Sequence, residues 1–98
     1  MATIKSVQQE IDDLMQQSQV ARDEAQRLQE KATQHMAVGS EDEAARETLN
    51  AHARQKEADD FARKAEAKRS ELDRLQSEAT NIQSRISDLQ GQLNQING

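Results

Sequence analysis

The sequence predicts an all-α fold, an elongated antiparallel coiled-coil hairpin with a longer second helix that overhangs and oligomerises. Three observations lead to this prediction. Among 98 residues there is one aromatic residue, no proline and no cysteine, and so few large apolar residues do not build a conventional two-layer core. Apolar residues recur with heptad spacing, which is typical of helices that coil around a partner. One Gly39-Ser40 pair interrupts that pattern. We therefore expect a single helical-hairpin domain over 1–98, with helix 1 at about 3–37, a turn at 38–40 and helix 2 at about 41–95.

The first predicted helix carries a seam of unbroken 3,4 spacing. Its members are Ile4, Val7, Ile11, Leu14, Ser18, Ala21, Ala25, Leu28, Ala32 and His35. The residues between them are mostly Gln, Asp, Glu and Arg, so one face is polar along the whole helix. An amphipathic helix of this kind requires a partner that covers its apolar stripe.

The turn is predicted from two local signals. Gly39 suits the left-handed conformation that closes a helix, and Ser40 followed by Glu43 matches the capping box S-x-x-E that opens one. Acidic residues in the first turn of the new helix also complement its dipole. Two helices joined by a tight turn are the simplest interpretation.

The second predicted helix changes character along its length. Its first part, 44–67, is rich in alanine, and its seam is poorly defined. The heptad count slips near Arg54 and Lys56, which predicts a stutter with local unwinding. From Phe61 onward the series is regular: Phe61, Ala65, Lys68, Leu72, Leu75, Ala79, Ile82, Ile86, Leu89, Leu93 and Ile96.

Folding the chain about Gly39 predicts which residues meet. Leu14 falls opposite Ala65, and Ile4 falls opposite Leu75, so large residues meet small or medium ones. The predicted hairpin seam consists of Ile4, Val7, Ile11, Leu14, Leu28, Phe61, Leu72 and Leu75. Helix 1 is exhausted at Leu75, which leaves a C-terminal apolar stripe uncovered: Ile82, Ile86, Leu89, Leu93 and Ile96. Because an exposed stripe of this kind favours association, we expect it to be the interface of a homo-oligomer.

No sequence motif indicates a catalytic, metal-binding or phosphate-binding site. The two histidines, His35 and His52, would lie near the hairpin tip with acidic neighbours, but no His-x-x-x-His or Glu-x-x-His spacing supports a metal site. The acidic residues near the tip are Glu41, Asp42 and Glu47. Phosphate-binding glycine loops and nucleophile elbows are absent from the sequence. We therefore predict no enzymatic activity, no cofactor and no metal.

Charge disfavours nucleic acids and anionic membranes as partners. Lys and Arg number 13 against 18 Asp and Glu, for a net charge of -5, and the basic residues between Arg54 and Arg74 alternate with acids. Such alternation is typical of helical ion pairs on a solvated surface. The polar face of helix 1 is acidic and lacks an aromatic anchor. We expect a cytoplasmic protein whose association with membranes is peripheral, and weak or indirect.

The region around the turn resembles the phage-shock-protein A family, the bacterial branch of the ESCRT-III-like membrane-remodelling scaffolds. The resemblance is carried by Lys31-Ala32, Gly39, Glu41-Asp42 and Ala45-Arg46-Glu47-x-Leu49, followed by a long charged helix. It spans roughly Ala21 to Leu93 and implies a core hairpin that stacks into rods or rings. One extra residue lies between Gly39 and the Ala-Arg-Glu-x-Leu element. The family's N-terminal membrane helix has no counterpart before Ile4, so we expect assembly without direct membrane insertion.

The expected function is that of a non-enzymatic, self-assembling scaffold or adaptor. A competing hypothesis is a partner-binding module, such as a small chaperone or regulator, that uses the C-terminal stripe to bind another helical protein. A second competing hypothesis is a peripheral membrane binder that uses helix 1. A third is a parallel dimer of one continuous helix that runs through Gly39.

Overall fold

The protein is a pair of long helices joined by a short turn. A computed structural model describes residues 3–98, which form α1 (Ile4–Ala37) and α2 (Glu41–Asn97), with no strand in that range. The two helices pack against each other in a rod of 87 × 19 × 13 Å. The predicted all-α hairpin with a longer second helix is confirmed, and the hypothesis of one continuous helix through Gly39 is wrong.

The ends of α1 are closed by hydrogen bonds that local sequence supplies. The Thr3 hydroxyl accepts a hydrogen bond from the Ser6 amide at 3.0 Å and caps the N-terminus of α1. At the other end, the Gly39 amide donates to the Met36 carbonyl at 3.2 Å, and the Ser40 amide donates to the His35 carbonyl at 2.8 Å. These two bonds form a Schellman motif, which needs a left-handed residue. Gly39 provides it with φ of +82°.

The capping box predicted for α2 is wrong. Ser40 occupies the N-cap position of α2, but its side chain makes no capping hydrogen bond. Its amide, which the Glu43 carboxylate would bind in a capping box, already donates to the His35 carbonyl. Glu43 instead lies 3.2 Å from Nε2 of His35. The Schellman motif of α1 therefore takes the donor that the capping box would require.

The helices meet along a ladder of small residues. The buried residues are Val7, Ile11, Ser18, Ala21, Ala25 and Ala32 on α1, and Ala44, Ala51, Ala58 and Ala65 on α2. The Ser18 hydroxyl donates a hydrogen bond to the backbone carbonyl of Ala58 at 2.8 Å. A serine side chain is short, so this bond shows that the two backbones approach closely at Ala58, as small interface residues allow.

The stutter expected near Arg54 and Lys56 is also wrong. The four buried alanines of α2 are spaced by seven residues throughout, and Arg54 is half-buried between them, so the seam runs through this region without a slip. The same frame continues to Leu72 and on to Ala79.

The residues predicted for the hairpin seam are all at least partly buried. Val7 and Ile11 are buried. The remaining six are half-buried: Ile4, Leu14, Leu28, Phe61, Leu72 and Leu75. Alanine supplies most of the buried positions, and the larger residues flank the ladder.

Candidate association surface

The hairpin ends where α1 begins. Contacts between the helices include a salt bridge of 3.0 Å from Lys68 to Glu10, and extending this antiparallel pairing places Ile4 close to Leu75. Leu75 is half-buried, whereas every residue from Gln76 onward is exposed. The last three heptads of α2 are therefore a single helix without a covering partner.

This overhang carries a continuous apolar stripe. The exposed fractions of its members are 58% for Ile82, 42% for Ile86, 62% for Leu89, 55% for Leu93 and 80% for Ile96. Their 3,4 spacing places them on one face of the helix. The stripe continues the heptad spacing of the alanine ladder. The face of α2 that packs against α1 in the hairpin is therefore the same face that carries the exposed stripe in the overhang. These are the five residues predicted for the oligomer interface.

The overhang is almost free of charge. Residues 79–98 contain one basic and one acidic residue, Arg85 and Asp88, which cancel. The positions that flank the stripe are occupied largely by amides: Gln83, Gln90, Gln92 and Asn97. The net charge of -5 therefore resides in residues 1–78, which include Glu78 at the base of the overhang. Two overhangs that approach each other meet no like-charge repulsion, which an equally charged seam would create.

The large apolar side chains exposed elsewhere stand singly. Met15, Val20, Met36, Val38 and Leu49 are each 46% to 75% exposed. They belong to the hairpin and form no stripe with the periodicity of the overhang. Scattered residues of this kind are normal on protein surfaces, so the overhang is the distinctive apolar surface of residues 3–98.

Arg54 occupies a seam position where an apolar side chain is expected, and it forms ion pairs there. Its guanidinium lies 3.3 Å from Glu24 on α1 and 3.0 Å from Glu57 on α2. The hydrogen bond to Glu57 and the charge of Glu24 raise the pKa of Arg54 above its ordinary value. Arg54 therefore joins the helices at a seam position through a charge pair that spans them.

Lys68 repeats this arrangement two heptads further along α2. Its ammonium lies 3.0 Å from Glu10 on α1 and 3.5 Å from Glu71 on its own helix. The hydrogen bond to Glu10, together with the charges of Glu10 and Glu71, raises the pKa of Lys68. Both cations are about two-fifths exposed, so they set register and orientation more than stability.

Two further basic residues of α2 pair with acids of the same helix. Arg63 contacts Asp60, and Arg74 lies 2.9 Å from Glu78. These are the helical ion pairs that the alternation of charge predicts.

The hairpin tip places one histidine between two carboxylates. Nδ1 of His35 lies 2.8 Å from Glu47, and Nε2 lies 3.2 Å from Glu43. The imidazole of His35 therefore contacts two carboxylates of α2 and joins the helices across the turn. Glu47 was expected near His35, whereas His52 is exposed five residues beyond Glu47 on α2. Across residues 3–98 no group of three or more His, Asp or Glu could hold a metal ion.

Two features of the interface escape sequence reasoning. The first is the alanine ladder of α2, whose signal is the seven-residue spacing of Ala44, Ala51, Ala58 and Ala65. The second is the hydrogen bond from Ser18 to the Ala58 carbonyl, because a serine in a heptad series gives no sign of the backbone it will reach.

Comparisons with known proteins add no relative. No protein-family model, curated protein or solved structure matches the chain.

Over the part of the chain that the structure describes, neither helix has a stretch long and apolar enough to cross a membrane.

Proposed function

We propose that this protein is a non-enzymatic, self-assembling coiled-coil scaffold or adaptor, in which the overhang of α2 joins one hairpin to another. The observation that carries the proposal is the exposed stripe from Ile82 to Ile96, which continues the frame that buries α1. A second copy of this chain offers a surface of the same periodicity and of no net charge.

The size of the stripe is compatible with association. Each Ile or Leu contributes about 1.5–3 kcal/mol when it is fully buried, and the five residues are 42% to 80% exposed. Burial of both copies of the stripe therefore supplies on the order of 10 kcal/mol. Association costs about 4–15 kcal/mol in lost freedom of motion. We therefore expect an oligomer whose population depends on protein concentration.

The resemblance of the turn region to the phage-shock-protein A family supports the scaffold part of the proposal. The residues that carry it, from Lys31 to Leu49, include the Gly39 that closes α1 and the Glu47 that contacts His35. Under this proposal the protein serves in membrane stress or membrane remodelling as an assembly element in the cytoplasm, and its contact with membranes is indirect.

The experiment compares masses in solution. Ile86→Lys combined with Leu89→Lys places charges in the centre of the stripe, so sedimentation over a concentration series should show a monomer. Circular dichroism should show an intact hairpin, because both residues lie beyond the reach of α1. As a matched control, Val20→Lys combined with Leu49→Lys makes the same changes at exposed residues of the hairpin and should leave the oligomer unchanged.

Two results would contradict the proposal. An oligomer that survives both substitutions in the stripe would place the association surface on the flanks of the hairpin. A wild-type chain that stays monomeric at every concentration and co-purifies with one partner in equimolar amounts would favour the partner-binding module instead.

A further inference from the structure

We infer that two copies associate tail to tail, with their overhangs antiparallel, in a register that pairs Ile82 of one copy with Leu93 of the other and Ile86 with Leu89. This inference rests on the proposed self-association and specifies its geometry. The product is a straight rod with one hairpin tip at each end.

The first argument is the continuity of the interface. The frame of Ala44, Ala51, Ala58 and Ala65 continues through Leu72 into the stripe without a slip. A helix that covers the stripe therefore lies in line with α1, on the same face of α2. The position of α1 limits which arrangements of the second copy are possible.

A parallel pair of overhangs conflicts with α1. In that arrangement the two α2 helices face each other along their seams, about 8–10 Å apart. On the hairpin side of Leu75 each seam already holds its own α1, a helix about 10–12 Å across. The two α2 helices would have to diverge abruptly just before the stripe, which would strip contacts from its first heptad.

An antiparallel pair avoids this conflict. In the proposed register, Asn97 of the second copy lies level with Glu78 of the first. The α1 of the first copy starts at Ile4, close to Leu75, so the stripe of the second copy, whose last residue Ile96 lies level with Ala79, lies clear of α1. The two covering helices follow one another along the same face of α2, and neither hairpin is disturbed.

The register follows from complete pairing of the stripe. In antiparallel coiled coils the two seam positions of one helix alternate with those of the other. Pairing Ala79 with Ile96, Ile82 with Leu93 and Ile86 with Leu89, each in both directions, gives every stripe residue a partner within α2. Displacement by one heptad toward the hairpin places Leu93 and Ile96 level with Leu75 and Leu72, where α1 already packs. Displacement by one heptad away leaves Ile82 without a stripe residue opposite it.

Charge permits this arrangement without directing it. Arg85 and Asp88 are the charged residues of 79–98, and the flanking positions are largely amides. Like charges therefore do not oppose an antiparallel pair. The position of α1 sets the orientation.

Small-angle scattering tests the orientation. One molecule, with its hairpin and overhang, is 87 Å long, and a parallel dimer would have nearly that length. The tail-to-tail dimer measures about 145 Å from tip to tip at 1.5 Å per residue. A dimer by mass with a maximum dimension close to 145 Å supports the inference. A dimer close to 87 Å overturns the antiparallel geometry and leaves the proposed function standing, whereas a monomer at all concentrations overturns both.

Spin labels test the register. The chain has no cysteine, so Ser70→Cys, Ser77→Cys and Ser84→Cys each give one label, at three exposed positions spaced by a heptad on one face. In the proposed register the two labels of a dimer are separated along the rod by about 53, 32 and 10 Å, respectively. Pulsed electron resonance on dimers should give distances that increase from Ser84 to Ser70. Equal distances at the three sites, or the shortest distance at Ser77, would overturn the register.

A control separates specific pairing from aggregation. Adding Ile86→Lys and Leu89→Lys to the Ser84→Cys chain should abolish the distance between copies, because those residues form the two central layers. A distance that persists in this variant would mean that the labelled chains meet elsewhere, which overturns the inference.

Discussion

Ala58 lies at a point where the two helices approach each other closely. Its side chain is fully buried, and its carbonyl accepts the hydrogen bond from Ser18. Ala58→Leu would force the two helices apart at this point. Inserting methylenes into a packed interface costs about 1–3 kcal/mol, and leaving the Ser18 hydroxyl buried without a partner costs about 1–3 kcal/mol more. The free energy of unfolding should therefore fall by about 2–6 kcal/mol.

The matched control is Ala53→Leu, the same change at an exposed residue of the same helix. Leucine and alanine are both strong helix formers, so the control should change stability by less than about 0.5 kcal/mol. Ser18→Ala separates the two contributions, because it removes the hydroxyl without adding volume and should cost about 0.5–1.5 kcal/mol.

The assay is urea unfolding followed by circular dichroism at one fixed protein concentration, since self-association would otherwise shift the transition. If Ala58→Leu and Ala53→Leu unfold at the same urea concentration, the helices are not in close contact at Ala58, and the interpretation of the alanine ladder as the core fails.

Three further predictions concern the turn, the cross-helix charges and membranes. Gly39→Ala should destabilise the hairpin by about 1–2 kcal/mol, because φ of +82° is strained for alanine. Gly91→Ala adds a methyl group in open space within α2 and should stabilise the protein by about 0.5–1 kcal/mol. Equal changes in melting temperature for the two variants would contradict the role of Gly39. Because the folded-state pKa of Lys68 is raised, its stabilisation is complete below the unfolded-state pKa of lysine, about 10.4, and is lost as the pH rises through the folded-state value. The stability difference between wild type and Lys68→Met should therefore shrink as the pH rises above about 10.4, and a constant difference in urea titrations would refute the role of the pair with Glu10. The protein alone should not co-sediment with anionic vesicles at physiological salt, because it carries a net charge of -5 and α1 has no aromatic residue. Robust co-sedimentation would favour the hypothesis in which α1 contacts the membrane.

The hairpin could be predicted because its determinants are local. Gly39 marks the end of α1, and its position in the chain leaves 34 residues in α1 and 57 in α2. This difference in length exposes the stripe, so the candidate surface follows from the sequence together with the position of one turn. That the stripe contacts a second molecule stays a prediction.

The errors of prediction have physical causes as well. The capping box failed because two motifs compete for one donor, the amide of Ser40, and a sequence pattern does not show which of them wins. The stutter was inferred because Arg54 stands where an apolar residue is expected, but Glu24 and Glu57 pair with its charge and keep it at the seam. Alanine contributes little to a hydrophobic pattern, although its small size lets the backbones approach.

The ladder that joins the helices repeats itself, and this makes the length of the hairpin adjustable. Each heptad of α1 opposes one heptad of α2, and both helices bury residues along the ladder, from Ala32 and Ala44 near the tip to Ile11 and Ala65 near the open end. Removing seven residues from each arm would shorten the hairpin by about 10 Å, while the turn at Gly39 and the stripe beyond Leu75 kept their surroundings. The hairpin thus acts as a spacer whose length changes in steps of one heptad. The distance between its tip and the stripe depends on the number of repeats more than on their composition.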